Sequence, residues 1–356
     1  MVNTSNILTK IGEVSIGPLQ LESGHFLPEV SLTYERVGPQ DAPIILVCHA
    51  LTGNHLTVGY PKKPGWWNGL IGPNQYIDTA KYQVITFNVL GGCNGSTGPL
   101  SINPITEEPY CASFPTITIR DMVHAQFAAL QQLDIKEIYA VVGGSLGGMQ
   151  ALEWGLLYPD LLNKLIILAA TPTLSDYGIA YNHIAKQAIT NDPLWLDGYY
   201  QSSSEIRGLE IARMIGMVTY RSSDLFSERF NRKETESGYS VTSYLDYQGE
   251  KLSNRFDANS YLCLLEAMNT HDIGRERGGW EEACKQYTCS ILTLSFEHDL
   301  IYEPKIIKDF SSHLSNCSYQ HMKTLFGHDG FLTEYHKWGS IIEDFLISER
   351  TKTVQG

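Results

Sequence analysis

A chain of 356 residues with a formal net charge of −13 is long enough to bury a large core, as one big α/β domain with an insertion or as two domains. The acidic balance argues against non-specific binding to nucleic acid or to an anionic membrane surface. No stretch approaches the roughly eighteen consecutive apolar residues of a membrane span. The first residues, MVNTSNILTKIGE, have neither the basic nor the apolar region of a signal peptide, so the expected location is the cytoplasm. Seven cysteines at 48, 93, 111, 263, 284, 289 and 317, with no C-x-x-C spacing, read as buried thiols and not as a disulfide framework or a zinc site. No metal is expected.

In chain order, the alternation over 30–37 (VSLTYERV) predicts a half-exposed strand with which the sheet begins, and the apolar run 43–48 (PIILVC) predicts a buried one. His49-Ala50-Leu51-Thr52-Gly53 follows directly; a histidine placed just past a buried strand reads as structural. The segment 53–78, dense in Gly, Pro, Asn and Trp, is too long for a plain connector and is expected to wall a pocket, with Trp66 and Trp67 packed beneath it. A strand is predicted over 82–89. The glycine-rich loop 90–99 (LGGCNGSTGP) lacks the G-K-[ST] ending of a phosphate-cradling loop and reads as pocket lining. Val123, Phe127 and Leu130 give the helix predicted over 120–133 an inward stripe.

The chain is organised around 137–159, EIYAVVGGSLGGMQALEWGLLYP. Its β-branched run predicts a buried strand of a parallel sheet, and Leu146, Met149, Leu152 and Leu156 recur at helical spacing. Between them Gly143-Gly144-Ser145-Leu146-Gly147 fits G-x-S-x-G, a serine held on a sharp strand-to-helix turn. Glycines two before and two after are needed because side chains there would collide with the neighbouring strand and helix. At the start of a helix, the Leu146 N–H can stabilise an anion forming on a substrate. Another strand is predicted over 163–170, which makes the sheet parallel and doubly wound. Between about 173 and 287 no buried strand run occurs, while 208–220 and 258–268 are helical in pattern. The sheet resumes at 290–296, followed by a helix over 303–314 and a last strand over 317–323. The expected division is therefore a core of 1–173 and 288–356 and an inserted helical lid of 174–287.

A serine hydroxyl needs a base in contact, and the base needs a buried carboxylate to set its tautomer. In an α/β-hydrolase fold the order is serine, acid, histidine. Asp299, just past the strand 290–296, and His328, in Phe326-Gly327-His328-Asp329-Gly330 after the last strand, fall where that order requires. Glu297 and His298 are their nearest competitors. Leu51, in the loop that supplies the second oxyanion donor of such folds, joins Leu146 as a candidate oxyanion-hole residue.

Nine motifs carry a resemblance that runs through almost the whole length: HALTG at His49, PGWWNGLIGP at Pro64, NVLGGCNGSTGP at Asn88, FPTITIRDMV at Phe114, GGSLGGMQALEW at Gly143, IARMIGMVTY at Ile211, SYLDYQG at Ser243, FDANSYL at Phe256 and GHDGF at Gly327. With these the chain resembles the homoserine O-acetyltransferases, acyltransferases of methionine biosynthesis on an α/β-hydrolase fold. The resemblance implies a ping-pong transfer: Ser145 takes the acetyl group from acetyl-CoA, a co-substrate and not a resident cofactor, and passes it to L-homoserine. It implies that Arg213 and Asp329 hold the amino acid, a guanidinium on its carboxylate and a carboxylate on its ammonium. Tyr220, seven residues after Arg213, is expected to meet the substrate too. It also implies a homodimer formed through the lid. Many relatives carry methionine where this chain has Leu146; since the backbone N–H does the work, little changes. A succinyl donor, or a serine esterase or thioesterase of the same fold, is the alternative. The loop 91–98 and the pair Lys62-Lys63 are places to look for donor contacts, the lysines reading rather as an exposed loop.

Overall fold

The computed structural model describes residues 8–236 and 238–348. Residues 1–7, on which part of the leader reading rests, and 349–356 of the expected core lie outside the described residues. One eight-stranded sheet comprises β1 (Leu8–Gln20), β2 (Phe26–Gly38), β3 (Ile44–Cys48), β4 (Gln83–Phe87), β5 (Ile138–Gly144), β6 (Leu162–Leu168), β7 (Ser290–Phe296) and β8 (Cys317–Met322). Their order across the sheet is β1-β2-β4-β3-β5-β6-β7-β8. The pairs β1–β2 and β2–β4 are antiparallel and all others parallel.

β5, β6 and β7 are buried along nearly their whole length, as strands covered on both faces must be. Two apolar clusters lie on the two faces. One packs α1 (Ile119–Gln132) and α2 (Leu146–Leu157) against the sheet, and the other gathers Trp67, Phe296, Phe331 and Trp338. Thr118 and Asp121 start α1 by exchanging side-chain and backbone bonds in a capping box.

The sheet begins earlier than the sequence reading placed it. β1 was not anticipated, because an edge strand is covered on one side only: of its residues 9–20 only Val14 is buried, so no apolar alternation announces it. Its order comes from the ladder with β2, a pairing that no local pattern reveals.

Between β6 and β7 run α3 (Asp176–Thr190), α4 (Arg207–Thr219), α5 (Ser223–Phe230), α6 (Ser240–Ser253), α7 (Ala258–Asn269) and α8 (Trp280–Cys284), interrupted by a two-residue ladder at Glu234–Thr235 and Gly238–Tyr239. The chain returns to the sheet through a buried ion cluster. Glu153 on α2, its side chain 2% exposed, accepts Arg120 Nε at 3.2 Å and Arg277 Nη2 at 2.9 Å. Removing one partner of such a cluster strands a buried charge, which makes it a firm tie between the helical segment and the core. α9 (Pro304–Ser312), α10 (Gly330–Thr333) and α11 (Tyr335–Ile347) complete the chain. Among the described residues no helix is long and apolar enough to cross a membrane.

Candidate active site

Ser145 sits where β5 turns into α2, with φ 57° and ψ −127°. An L-residue in that region is strained by about 1–3 kcal/mol and persists only where its surroundings over-determine it. The surroundings are the glycines. A Cβ at Gly143 would stand 2.0 Å from the Gly147 carbonyl oxygen, one at Gly147 2.1 Å from that of Cys48, and one at Gly144 2.5 Å from the Phe331 ring. Ser145 N–H donates to Leu168 O at 3.0 Å, pinning the turn to the end of β6. The serine side chain makes no capping bond to α2, so its hydroxyl is not spent on the helix.

Asp299 follows β7 in a turn through His298, which has φ 64° and is exposed, while Asp299 is buried. Asp299 Oδ1 accepts the N–H groups of Ile301 and Tyr302, each at 2.9 Å, and Oδ2 lies 2.8 Å from His328 Nδ1. Glu297 is half-buried at the strand end and takes no part in this contact. His328 is held between rings: Tyr302 stacks on it at 5.1 Å, and Phe331 and Tyr220 flank it at 5.2 and 5.4 Å. Gly327, at φ 55°, is required in front of it, since a Cβ there would meet the Tyr220 and His298 carbonyl oxygens at 2.9 and 3.0 Å. Ser145, His328, Leu51, Tyr220, Tyr261 and Tyr302 line one cavity of about 30 Å³. No hydrogen bond joins Ser145 Oγ to His328 in this geometry; such contacts are commonly long until a substrate closes the site.

Among the described residues the N–H of Leu51 donates to no backbone oxygen, and Leu146, first in α2, has no intrahelical acceptor. Both candidate oxyanion donors are therefore available. His49 is the support of the Leu51 loop. Its Nε2 accepts the Val89 N–H at 3.0 Å, so its Nδ1 carries the proton and donates to Ala50 O at 2.8 Å. Gln150 adds bonds from α2 to the carbonyls of His49 and Leu146.

Burial pushes the pKa of His49 down to about 4, and the same cause lowers that of His271 to about 4. The unfolded chain, with histidine near 6.5, therefore binds more protons than the native state between about pH 4 and 6.5. Stability contributed by keeping these rings neutral is present above that window and lost as the pH falls through it, about 2 kcal/mol for each ring by pH 5. Thermal melts at pH 7 and pH 5 should show the loss, and His271→Gln should reduce it; an unchanged pH dependence in the variant would contradict this assignment.

Arg213, on α4, is half-buried and forms no hydrogen bond or ion pair among the described residues. Its charge acts on the phenols of Tyr220 and Tyr261, both in the cavity wall. Burial raises the pKa of Tyr220, and Arg213 opposes the rise. Tyr220 ends α4, and its carbonyl accepts the Asp329 N–H at 3.2 Å, so the helix carrying Arg213 is tied to the histidine loop. Asp329, which the resemblance places on the amino acid, already has one partner. Its Oδ2 pairs with Arg221 Nε at 2.9 Å, and Arg221 also donates to the Tyr244 hydroxyl at 2.6 Å. Arg221 was missed, although it adjoins Tyr220 in the motif; nothing local links it to a residue 108 positions away. Tyr261 and Tyr302 were missed for the same reason.

Neither of the two loops read as pocket walls lines the Ser145 cavity. No residue of 53–78 lines the Ser145 cavity; that loop is held by Glu35, whose carboxylate accepts the N–H groups of Thr57, Val58 and Gly59, each at 2.8 Å. The 90–99 loop does not reach this cavity either, but its Cys93 and Pro99 line a separate pocket of about 460 Å³ with Tyr200, Arg255 and Asp257. It bonds back to β2, with Ser96 and Thr97 side chains accepting the Thr33 and Ser31 N–H groups. Trp67 is fully buried with its Nε1 donating to Phe331 O at 3.1 Å, which fixes the far end of the histidine loop. Lys62 and Lys63 are exposed.

The strand order, the strained serine and the histidine–aspartate contact at the ends of successive strands define the class: an α/β hydrolase fold. The sequence pattern of that family matches residues 43–335. The chain is 41% identical over 348 residues to the homoserine O-acetyltransferase of Moorella thermoacetica, covering 92% of this chain and 93% of the relative. It is 44% identical over 352 residues to that of Symbiobacterium thermophilum, covering 92% of each. The crystal structure of homoserine O-acetyltransferase from Staphylococcus aureus superposes with a TM-score of 0.82 at 37% identity, covering 97% of both chains. A mutant form of esterase E22 superposes with a TM-score of 0.89 at 26% identity, covering 96% of this chain and all of that one. The chain belongs to the homoserine O-acetyltransferase family.

Proposed function

We propose that this chain transfers acetyl from acetyl-CoA to the hydroxyl of L-homoserine through an acyl-serine intermediate. The observation that supports it best is a buried serine, histidine and aspartate with a guanidinium, Arg213, beside their cavity that has no ion pair among the described residues. A simple esterase of the same fold needs those three and not the guanidinium. Ser145 loses its proton to His328 and attacks the thioester, with the oxyanion on the N–H groups of Leu51 and Leu146; CoA leaves with the proton. Homoserine then gives its hydroxyl proton to His328 and takes the acetyl group from Ser145. Arg213 receives the α-carboxylate. Asp329, with Oδ2 engaged by Arg221, offers Oδ1 to the ammonium, and Tyr220 meets the substrate from the end of α4.

The cavity supports acetyl over succinyl. Its volume of about 30 Å³ is on the scale of one or two waters, which suits a short acyl group better than a longer one. The chemistry draws only on groups of this chain, with acetyl-CoA as co-substrate. A cytoplasmic location and a homodimer through the 174–287 segment belong to the same reading. Tyr177 and Ile184 on α3 and Ile211 and Val218 on α4 are exposed apolar residues on packed helices and support the dimer.

Thiol release from acetyl-CoA and succinyl-CoA, each with and without homoserine, tests the reading. Homoserine-dependent release from acetyl-CoA is expected; release indifferent to homoserine would make the protein a hydrolase. Arg213→Ala should raise the homoserine KM roughly 10- to 100-fold, the worth of a hydrogen bond to a charged group, and spare hydrolysis of p-nitrophenyl acetate. An unchanged KM would remove Arg213 from the amino-acid site.

A further inference from the structure

Tyr302 touches Ser145, His328 and Asp299 and has none of the roles assigned so far. Its backbone N–H donates to Asp299 Oδ1 at 2.9 Å, and its ring stacks on His328 with centroids 5.1 Å apart and planes 29° from parallel. Those two contacts fix the ring, which lines the same cavity as Ser145, and its hydroxyl interacts with the Ser145 side chain. The side chain is wholly buried, yet the hydroxyl has no hydrogen-bond partner among the described residues. Burial raises its pKa far above neutrality, and the Ser145 hydroxyl in front of it works the other way. It is a proton-bearing donor with one polar neighbour and no bond yet made.

A buried hydroxyl without a partner costs stability, and phenylalanine would keep the stacking and the volume while removing that cost. Folding therefore does not account for the oxygen. We propose that Tyr302 is a further catalytic residue, donating a hydrogen bond to Ser145 Oγ whenever that oxygen carries negative charge. There are two such moments. In the first, Oγ passes its proton to His328 Nε2, the Oγ–C bond forms, the C–S bond breaks, and the proton leaves on the CoA sulfur. In the second, the homoserine hydroxyl passes its proton to His328, its oxygen bonds to the acyl carbon, the C–Oγ bond breaks, and Oγ recovers the proton from His328. The tyrosine proton stays on tyrosine throughout. A donor fixed in a water-poor site before charge develops costs no reorganisation when it is used.

The proposal rests on Ser145 carrying the acetyl group, and the test separates the two. Tyr302→Phe and the unchanged protein are compared in acetyl transfer to homoserine, in p-nitrophenyl acetate hydrolysis without homoserine, and in thermal melts. The variant should lose about 10- to 100-fold in kcat for transfer, as for loss of one preorganised donor. It should slow both acylation and deacylation by the ester, keep the homoserine KM within about twofold, and melt at the same or a higher temperature. A kcat within about twofold of the unchanged protein would overturn the proposal. So would a raised KM with kcat intact, which would put the hydroxyl on the amino acid. A lower melting temperature would show that the hydroxyl has a structural partner and would overturn it too. If the unchanged protein acetylates no homoserine, the functional reading fails, and the ester measurements still decide what Tyr302 does at Ser145.

Discussion

Asp299→Asn should lower kcat for acetyl transfer by about 10⁴-fold, the loss seen when a triad histidine is left in the wrong tautomer. The carboxylate is fully engaged: Oδ1 takes two backbone N–H groups at 2.9 Å and Oδ2 faces His328 Nδ1 at 2.8 Å. An asparagine must aim its oxygen at the two N–H donors, because its NH₂ cannot. The NH₂ then points at Nδ1, which becomes an acceptor and forces the ring proton onto Nε2. That nitrogen can no longer take the Ser145 proton. With the Asp299 side chain 0% exposed, no water can stand in. The backbone bonds survive, so the melting temperature should move little. Steady-state rates and thermal melts read both effects; a loss below about tenfold would assign the acid to another carboxylate such as Glu297.

Ser145→Ala should be more severe still, about 10⁶-fold in kcat, on the scale found when a catalytic serine is removed from its triad. Among the described residues no other serine or cysteine lines the cavity to replace it. Intact-mass measurement after mixing with acetyl-CoA should show an acetyl-enzyme in the unchanged protein and none in the variant. Transfer surviving at about one per cent would mean direct passage from CoA to homoserine without an acyl-serine. The alanine inherits the φ 57° backbone and its strain, so stability should stay close to that of the unchanged protein.

The candidate site was legible where chemistry and chain position coincide. G-x-S-x-G between a buried strand and a helix identified Ser145 because the turn leaves room only for hydrogen at Gly143 and Gly147, a local steric demand. Asp299 and His328 were legible because a parallel sheet presents the ends of successive strands at one edge, so a residue just past a strand has a predictable location. Arg221, Tyr261 and Tyr302 were not. Arg221 meets Asp329, and Tyr302 meets Ser145, through side chains whose directions depend on how α4, α7 and the turn after β7 pack, and no periodicity encodes that. β1 escaped for a related reason, since an edge strand is stabilised by its ladder and not by an apolar face of its own.

Motif spacing and strand-helix order by themselves determined the α/β architecture and singled out Ser145, Asp299 and His328 as candidates, because each rests on local steric rules or on sequence order along the sheet; the family came from the resemblance that the nine motifs carry. Only the tertiary structure decided which polar atoms are spent and which remain available. It commits Asp329 in part to Arg221, uses both ring nitrogens of His49 in holding the Leu51 loop, keeps 53–78 and 90–99 off the Ser145 cavity, and leaves the Tyr302 hydroxyl near Ser145 without a hydrogen bond among the described residues. Hydrogen-bond partners are set by distances of a few tenths of an ångström between segments far apart in the chain, and those distances exist only once the core has packed.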